Sequence, residues 1–179
     1  MILHCDNCTV RSWQPGDENS LPEHANNRAV WLNLRDQFPH PYAPDDARQW
    51  ITSVVGRHPE TNWTIDVAGE VVGGIGVRLH NDIERGTAGI GYWLGEAHWG
   101  RGITTTALRT VTAYAFGQFD LLRIYAVPFV RNAASVRVLE KAGYQYEGTM
   151  RHSAIKDGVV QDQHLYARIR ENRAISPLY

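Results

Sequence analysis

Residues 88–106 read AGIGYWLGEAHWGRGITTT, and this stretch decides the fold. Its first part, from Ala88 to Leu94, is almost wholly apolar or glycine, which is typical of a buried strand. A loop from Gly95 to Gly102 follows, and after it comes the periodic pattern of an amphipathic helix. The apolar face of that helix is formed by Ala107, Leu108, Val111, Tyr114 and Ala115. The sequence therefore predicts a strand, a glycine-rich loop and a helix in direct succession.

The junction between loop and helix has the features of an anion-binding site. The first N–H groups of a helix have no partner inside it, and the helix dipole is positive there. Gly100 and Gly102 permit positive φ and keep Cβ atoms away from a ligand that approaches the backbone. Such a nest of N–H donors suits a phosphate or pyrophosphate, to which Arg101 and the hydroxyls of residues 104–106 can add. A glycine loop at an ordinary helix start is the alternative interpretation.

The rest of the chain predicts strands on both sides of this unit and helices between them. Asp45 is the expected N-cap of a helix that stops at Gly56, and Asn132 that of a helix through Ala142, with Gly143 as its left-handed exit. The predicted strands are Thr9–Trp13, Trp63–Val67, Val71–Leu79, Arg123–Val127, Arg151–Ile155 and Gln163–Ile169, the last two joined by the turn Lys156-Asp157-Gly158. This order predicts an α+β fold with a mixed sheet rather than a doubly wound α/β fold.

Length and composition limit the function classes. The 179 residues predict a single domain, 1–179, and 43% apolar with 21% charged residues excludes a disordered chain. Lys and Arg total 18 against 19 Asp and Glu, a balance that argues against a nucleic-acid partner. We expect no membrane association and a cytoplasmic location, because the sequence shows neither a membrane-spanning run nor a signal peptide.

Both cysteines lie near the start, in the C-x-x-C segment Cys5–Cys8. A zinc site needs four ligands, and no second Cys pair or spaced His pair follows in the sequence. A thioredoxin-like motif would open a helix after a strand, whereas this segment precedes the first predicted strand. We therefore expect two ordinary reduced thiols and no metal.

Four segments, in chain order and on the elements just assigned, resemble one known family. They are Phe38–Ile51, Gly89–Thr105, Asn132–Gly148 and Tyr166–Ile169. Together they are similar to the GCN5-related N-acetyltransferase (GNAT) family, and most of all to its RimJ/RimL-type branch, which acetylates the N-termini of ribosomal proteins. The resemblance covers about residues 9–170.

The resemblance implies a mostly antiparallel sheet whose strands splay at an acyl-CoA site, with acetyl-CoA as co-substrate and no metal. It places the pyrophosphate on the loop amides and the pantetheine arm beside the strand that ends at Leu94. Ser135 is the implied general acid for the CoA thiolate; the alternative is an ordinary serine on the helix surface. Asn132 is the implied contact to the pantetheine amide; the alternative is a helix cap alone. The implied cofactor-binding residues are Trp93, Leu94, Trp99, Gly100, Arg101, Gly102, Ile103, Thr104, Asn132 and Ser135.

The sequence departs from the family pattern at several positions. Gly89 stands where several family members carry a Glu that acts as general base, and Ala154 falls about where a ribosomal-protein acetyltransferase of this branch would carry its catalytic Glu. Leu139 stands where many members carry a Tyr that acts as general acid. Thr104 replaces a Gly or Ala of the phosphate loop, and Trp99 replaces a Gln or Arg. The remaining candidate bases are His80, Glu84, Glu96, His98, Glu147 and His152.

The resemblance therefore implies transfer of an acetyl group to a primary amine, either a protein N-terminus or a small molecule, by a monomer or homodimer. A catalytically weak acyl-CoA sensor is the second interpretation, and a nucleotide-phosphate enzyme the third. The aromatic residues of the N-terminal half and the Lys156-Asp157-Gly158 turn are expected to select the acceptor.

Overall fold

A computed structural model of the chain describes residues 1–171, which form an eight-stranded sheet flanked by helices. The strand order is β1-β2-β3-β4-β5-β6-β8-β7, and all neighbours are antiparallel except β5 and β6. The strands are β1 (Ile2–His4), β2 (Thr9–Ser12), β3 (Asn62–Val67), β4 (Glu70–Leu79), β5 (Thr87–Leu94), β6 (Arg123–Ala126), β7 (Gln145–Lys156) and β8 (Val159–Ile169). The helices are α1 (Leu21–Ala25), α2 (Arg28–Trp31), α3 (Pro44–Val54), α4 (Ile103–Gln118) and α5 (Ala133–Lys141). The predicted α+β class with a mixed, mostly antiparallel sheet is confirmed.

Local signals place most of these elements where the sequence predicts them. Ala68 and Gly69 turn between β3 and β4 with φ of 55° and 89°, and Asp157 and Gly158 turn between β7 and β8 with φ of 52° and 74°. Two successive positive φ values match the right-handed twist of a hairpin, which explains the glycine in each turn. Gly143 leaves α5 with φ of 83°, as predicted.

Several sequence predictions are wrong in detail: β7 begins at Gln145 rather than Arg151, and β8 at Val159 rather than Gln163. The N-cap of α3 is Ala43 rather than Asp45; Pro44 opens the helix, and Asp46 accepts a hydrogen bond from the Ala43 amide at 2.8 Å. Proline suits the first helical position because no intrahelical partner is lost there. The C-x-x-C segment does not precede the first strand either, since it forms the turn between β1 and β2. The sequence does not predict β1, because its three residues are too few to show the alternation of a strand.

The two faces of the sheet carry separate cores. Alternate residues of a strand point to opposite faces. Tyr92 and Leu94 accordingly join the large core against α4 and α5, and Trp93 joins a smaller one against α1 and α3. The large core includes the fully buried Ile124, Leu108 and Val111, and the smaller one includes Trp13, Leu21, Tyr42 and Ile51.

The parallel pair β5 and β6 is the place where the sheet opens. Among the described residues, the two strands pair over Thr87–Gly89 and Arg123–Tyr125 alone. Beyond Gly89, β5 continues to Leu94 while β6 ends at Ala126, so one flank of β5 faces a gap. The other flank stays paired with β4 as far as Leu94. This gap leads directly to the loop before α4.

Candidate active site

The backbone of β5 presents hydrogen-bonding groups to the gap. The Gly95 amide bonds to Val72 of β4 at 2.8 Å, whereas the Gly86 carbonyl accepts from Leu122 at 2.7 Å on the β6 side. Successive residues of a strand bond to opposite neighbours, so even-numbered residues face the gap. The amides of Tyr92 and Leu94 therefore point into it. The Leu94 carbonyl is already occupied, because the Trp99 indole donates to it at 2.7 Å.

The loop at the end of the gap is built for close approach to its backbone. Gly100 and Gly102 have φ of 74° and 76°, and Gly102 is the N-cap of α4. A Cβ at Gly100 would meet nothing within 4 Å. Ile103 is 1% exposed and anchors the first helical turn in the large core. The amides at the start of α4, including that of the half-buried Thr104, have no carbonyl of the helix to bind, so they form a cradle that fits a pyrophosphate.

Cationic and neutral side chains border this cradle. Arg101 is exposed, and its guanidinium lies 3.3 Å from Nδ1 of His98. Burial, the neighbouring His24 and Arg101 all lower the pKa of His98. The imidazole of His98 is therefore held toward its neutral form, and Arg101 supplies the positive charge at the loop.

Ser135 contacts the Tyr92 side chain of β5, and Asn132 lies one helical turn before it at the start of α5. The Asn132 side chain caps α5 by accepting from the Ser135 amide at 3.1 Å. The Ser135 hydroxyl lies 2.8 Å from the phenol of Tyr92. Burial raises the pKa of Tyr92 well above its usual value, so this phenol remains a donor throughout the physiological range. When Tyr92 donates to Ser135 Oγ, the Ser135 hydrogen is free to point toward a ligand in the gap.

Tyr92 is the functional candidate that sequence reasoning missed. In the sequence, Tyr92 alternates with Trp93 along β5, and this pattern predicts a buried side chain but no hydrogen-bond partner for the phenol. The partner is 43 residues away, at the first turn of α5. The capping pattern of Asn132 and Ser135 predicts α5 but not the strand against which it packs.

The Trp93 side chain lies on the face opposite to Tyr92. Its ring contacts Phe38 edge-on, with centroids 5.4 Å apart, and Phe38 packs on Tyr42 at 5.0 Å. Gly91 leaves the strand surface open on this face, since a Cβ there would meet nothing within 4 Å. This face therefore offers an aromatic wall beside a bare stretch of strand.

Of the six candidate bases, His80 stands at the point where β5 and β6 part. Its Nε2 lies 3.0 Å from the phenol of Tyr125, the residue paired with Gly89, and its Nδ1 lies 3.5 Å from the Glu84 carboxylate. The Tyr125 phenol is therefore within hydrogen-bond distance of the His80 ring, whereas the Glu84 carboxylate lies beyond the usual hydrogen-bond distance.

The other four candidates are engaged elsewhere or lie on the surface. Glu147 accepts from Arg123 at 2.5 Å, which lowers the pKa of its carboxyl, and Glu96 accepts from Asn27 at 2.6 Å. His152 is exposed on β7 with φ of 50°, and His98 belongs to the loop.

At the three positions where family members carry a catalytic Glu or Tyr, this chain has Gly89, Leu139 and Ala154, none of which can transfer a proton. A Cβ at Gly89 would lie 3.5 Å from the Tyr125 ring, so Tyr125 borders the space that a Glu would fill. Leu139 is fully buried in the large core, and Ala154 is half-buried on β7.

Residues 1–171 contain no cluster of three or more His, Cys, Asp or Glu side chains arranged to hold a metal ion. Over the same residues, no helix has both the length and the apolar character needed to cross a bilayer.

Comparison with protein families assigns the chain. The model of the acetyltransferase (GNAT) domain matches residues 7–145. The chain belongs to the GNAT acetyltransferase family. The predicted family, its acetyltransferase activity and its use of acetyl-CoA are thereby confirmed at the level of the family.

Bacterial relatives extend this similarity. The uncharacterized N-acetyltransferase p20 of Bacillus licheniformis is 32% identical over 176 residues, which span 96% of this chain and 98% of p20. The probable N-acetyltransferase YjcK of Bacillus subtilis is 48% identical over 81 residues, 45% of each chain, so the match spans about half of that relative. The ribosomal-protein-serine acetyltransferase of Escherichia coli is 35% identical over 55% of this chain and 56% of its own.

Solved structures share the fold. RimL, a ribosomal L7/L12 alpha-N-protein acetyltransferase in complex with coenzyme A, superposes with a TM-score of 0.83 at 22% identity, covering 94% of this chain and 98% of its own. The microcin C7 self-immunity acetyltransferase MccE, in complex with acetyl-CoA and AMP, gives 0.80 at 21% identity, covering 92% and 93%.

Proposed function

We propose that this protein transfers an acetyl group from acetyl-CoA to the primary amine of a protein N-terminus or a small molecule, by direct attack of the amine on the thioester. The observation that carries the proposal is the gap beside β5, which ends at a loop with two glycines of positive φ at the start of α4. One ligand class needs both features, namely a pyrophosphate joined to an amide-bearing arm.

The residues around the gap have separate roles in the proposed reaction. The loop amides from Gly100 to Thr104 bind the pyrophosphate, with Arg101 contributing charge. The Leu94 amide holds the thioester carbonyl and stabilises the oxyanion that develops on it. The amine nitrogen bonds to the carbonyl carbon, the carbon–sulfur bond breaks, and the departing thiolate takes up a proton through the Ser135 hydroxyl. The nitrogen releases one proton to solvent and the Ser135 hydroxyl regains one from it, so the products are an amide and a free thiol with no net change in protons.

A protein N-terminus is the acceptor class that the site fits best. Model α-amino groups have pKa values of about 7.7–8.0, so a useful fraction is neutral without strong base catalysis. The site has no Glu at 89 or 154, and Glu147 is paired with Arg123. The sequence similarity to a ribosomal-protein-serine acetyltransferase supports the same class. We infer a cytoplasmic setting, which suits two free cysteines three positions apart.

The test is thiol release from acetyl-CoA, measured over N-terminal peptides, lysine peptides and polyamines, with mass spectrometry of the product. We expect acetylated peptide and free CoA in equal amounts, with N-terminal peptides turned over fastest. CoA binding without turnover across the whole panel would instead establish an acyl-CoA sensor, the second function that the absence of Glu at 89 and 154 favours.

A further inference from the structure

The side chain of Asn7 binds the backbone of the glycine loop before α4. Asn7 lies in the turn between β1 and β2, 94 residues before Arg101. Its Nδ2 donates to the Arg101 carbonyl at 2.9 Å. Its Oδ1 accepts from the Thr106 hydroxyl, in the first turn of α4, at 2.6 Å. One amide therefore joins the loop to the helix that follows it.

The amide can serve both partners in one orientation only. Rotating it by half a turn would place Oδ1 against the Arg101 carbonyl, and neither oxygen could donate. The Thr106 hydroxyl has one hydrogen to give; the oxygen end of Asn7 is its nearest acceptor at 2.6 Å, and the Ile103 carbonyl is the next at 3.0 Å. The direction of the Arg101 carbonyl is thus fixed by the donor end of Asn7.

The Arg101 carbonyl controls the amide that follows it. In a trans peptide the C=O and the next N–H point in opposite directions. Holding the Arg101 oxygen toward Asn7 therefore turns the Gly102 N–H away from Asn7. Glycine resists rotation about φ less than other residues do, so a loop with two glycines needs an external contact to keep one peptide orientation.

The turn that carries Asn7 is itself attached to α4. The Cys5 amide bonds to the Cys8 carbonyl at 2.9 Å, and the Cys5 thiol lies 3.4 Å from the Thr110 hydroxyl of α4. Cys8 is 8% exposed, and burial is the main reason why the pKa of its thiol is raised to about 12. Cys8 is therefore a packed, protonated thiol at the base of the turn that carries Asn7.

We propose that Asn7 is a positioning residue for the acyl donor: it sets the orientation of the Arg101–Gly102 peptide and thereby the affinity of the loop for the pyrophosphate. This inference rests on the proposed function, since it assumes that the loop binds the pyrophosphate. Asn7 acts through the loop and does not contact the reacting atoms.

The test replaces Asn7 with Leu, which keeps the size of the side chain and removes both polar ends. We expect the Kd for CoA and the KM for acetyl-CoA to rise about tenfold. The kcat at saturating acetyl-CoA stays within about twofold, because the reacting groups are untouched. With S-acetylpantetheine, an acyl donor that lacks the pyrophosphate, KM stays at the wild-type value. His4→Ala, an exposed change on the same hairpin, is the matched control.

Three outcomes separate the hypotheses. Unchanged CoA affinity in a folded Asn7→Leu protein overturns the inference. An equal rise of KM for both acyl donors also overturns it, because a general loss of structure would act on both. A wild-type protein that does not bind CoA at all refutes the proposed function itself.

Thr106→Val provides a second route if Asn7→Leu does not fold. It removes the hydroxyl that orients Asn7 and keeps a β-branched side chain of similar volume. We expect a rise of about threefold in KM for acetyl-CoA, again absent with S-acetylpantetheine. Additive effects of Thr106→Val and Asn7→Ala in the double variant would contradict the joint arrangement, since residues in one network couple.

Discussion

Gly102 shows how one residue can matter through its backbone alone. A Cβ there would meet its nearest atom, Nδ2 of Asn7, at 3.7 Å, which is ordinary contact. The φ of 76° is what opposes a side chain, because β-branched residues rarely adopt it. Any substitution at 102 therefore acts on the conformation of the loop before it acts on packing.

Gly102→Val should lower CoA affinity at least tenfold, about 1.4 kcal/mol, because a β-branched residue disfavours the positive φ that the loop adopts there. Titration calorimetry with CoA measures the change. Gly117→Val in the same helix is the control, since a Cβ there meets nothing within 4 Å and its φ is not positive. Unchanged affinity in a folded Gly102→Val protein would remove the cradle from the proposal.

Ser135→Ala should lower kcat about 100-fold and leave the Kd for CoA nearly unchanged, because the lost group acts on the departing thiolate. Tyr92→Phe should cause a smaller fall in kcat than Ser135→Ala does, since it removes only the donor to Ser135 Oγ. Burial raises the pKa of Tyr92, so the phenol does not ionise as pH rises through 10.

The pH dependence of kcat tests whether Tyr92 stays protonated beside Ser135. The rate should rise with pH as the amine deprotonates and then stay level, without a fall from Tyr92. Ser153→Ala, an exposed serine on β7, is the control for removal of a hydroxyl. If Ser135→Ala keeps full kcat, catalysis depends on positioning, and Ser135 is not a general acid.

At the scale of elements, the β7–β8 hairpin contacts α2 and the segment that follows it. Lys156 is 2% exposed; its Nζ lies 2.7 Å from Asp36 and 3.6 Å from the centroid of Trp31. Arg28 bonds to Asp157 at 2.6 Å beside this contact. The hairpin turn expected to select the acceptor is thus held in a fixed place by charge and an aromatic face.

Lys156→Met should lower the free energy of unfolding by about 2 kcal/mol, because it removes a charged hydrogen bond and a cation–π contact while keeping the apolar stem. Thermal unfolding measures it as a fall in Tm of about 4–8 °C. Arg48→Met is the control, since its pair with Asp45 is exposed and contributes about 0–1 kcal/mol. Equal effects of the two changes would show that the hairpin contact adds nothing beyond a surface pair.

The elements also show how far the sequence could predict the site. The chain from β5 through the loop to α4 carries its pattern within 20 neighbouring residues or so, and its glycines lie where positive φ is needed. Asn7 on Arg101 and Tyr92 on Ser135 are contacts across 94 and 43 residues, for which no local period exists. Local physics predicts the backbone of the site; the side chains that complete it depend on packing.

At the scale of the molecule, the cradle and the aromatic wall belong to different faces of one sheet. The cradle continues from the large core through Ile103, and the wall of Trp93 and Phe38 belongs to the smaller core. A ligand in the gap therefore contacts the element that joins both cores, β5. Binding should stabilise the whole folded state rather than one layer.

Acetyl-CoA at 100 times its Kd should stabilise the protein by about 2.7 kcal/mol, a rise in Tm of about 5–10 °C. Differential scanning calorimetry measures the shift, with ATP and Mg²⁺ as the parallel sample. A shift with ATP and none with acetyl-CoA would point to a nucleotide-phosphate enzyme. A shift with acetyl-CoA occurs for both an enzyme and a sensor, which thiol release then separates.

The gap beside β5 has a further consequence for motion. The amides of Tyr92 and Leu94 point away from β4, toward a flank that lacks a strand partner among the described residues, so their hydrogens should exchange readily with solvent. On the β4 flank the Trp93 and Gly95 amides lie in an intact ladder and should exchange slowly. A ligand that supplies acceptors along the open flank would slow Tyr92 and Leu94 alone. Deuterium uptake along one strand would then alternate residue by residue in the free protein and become uniform in the bound one.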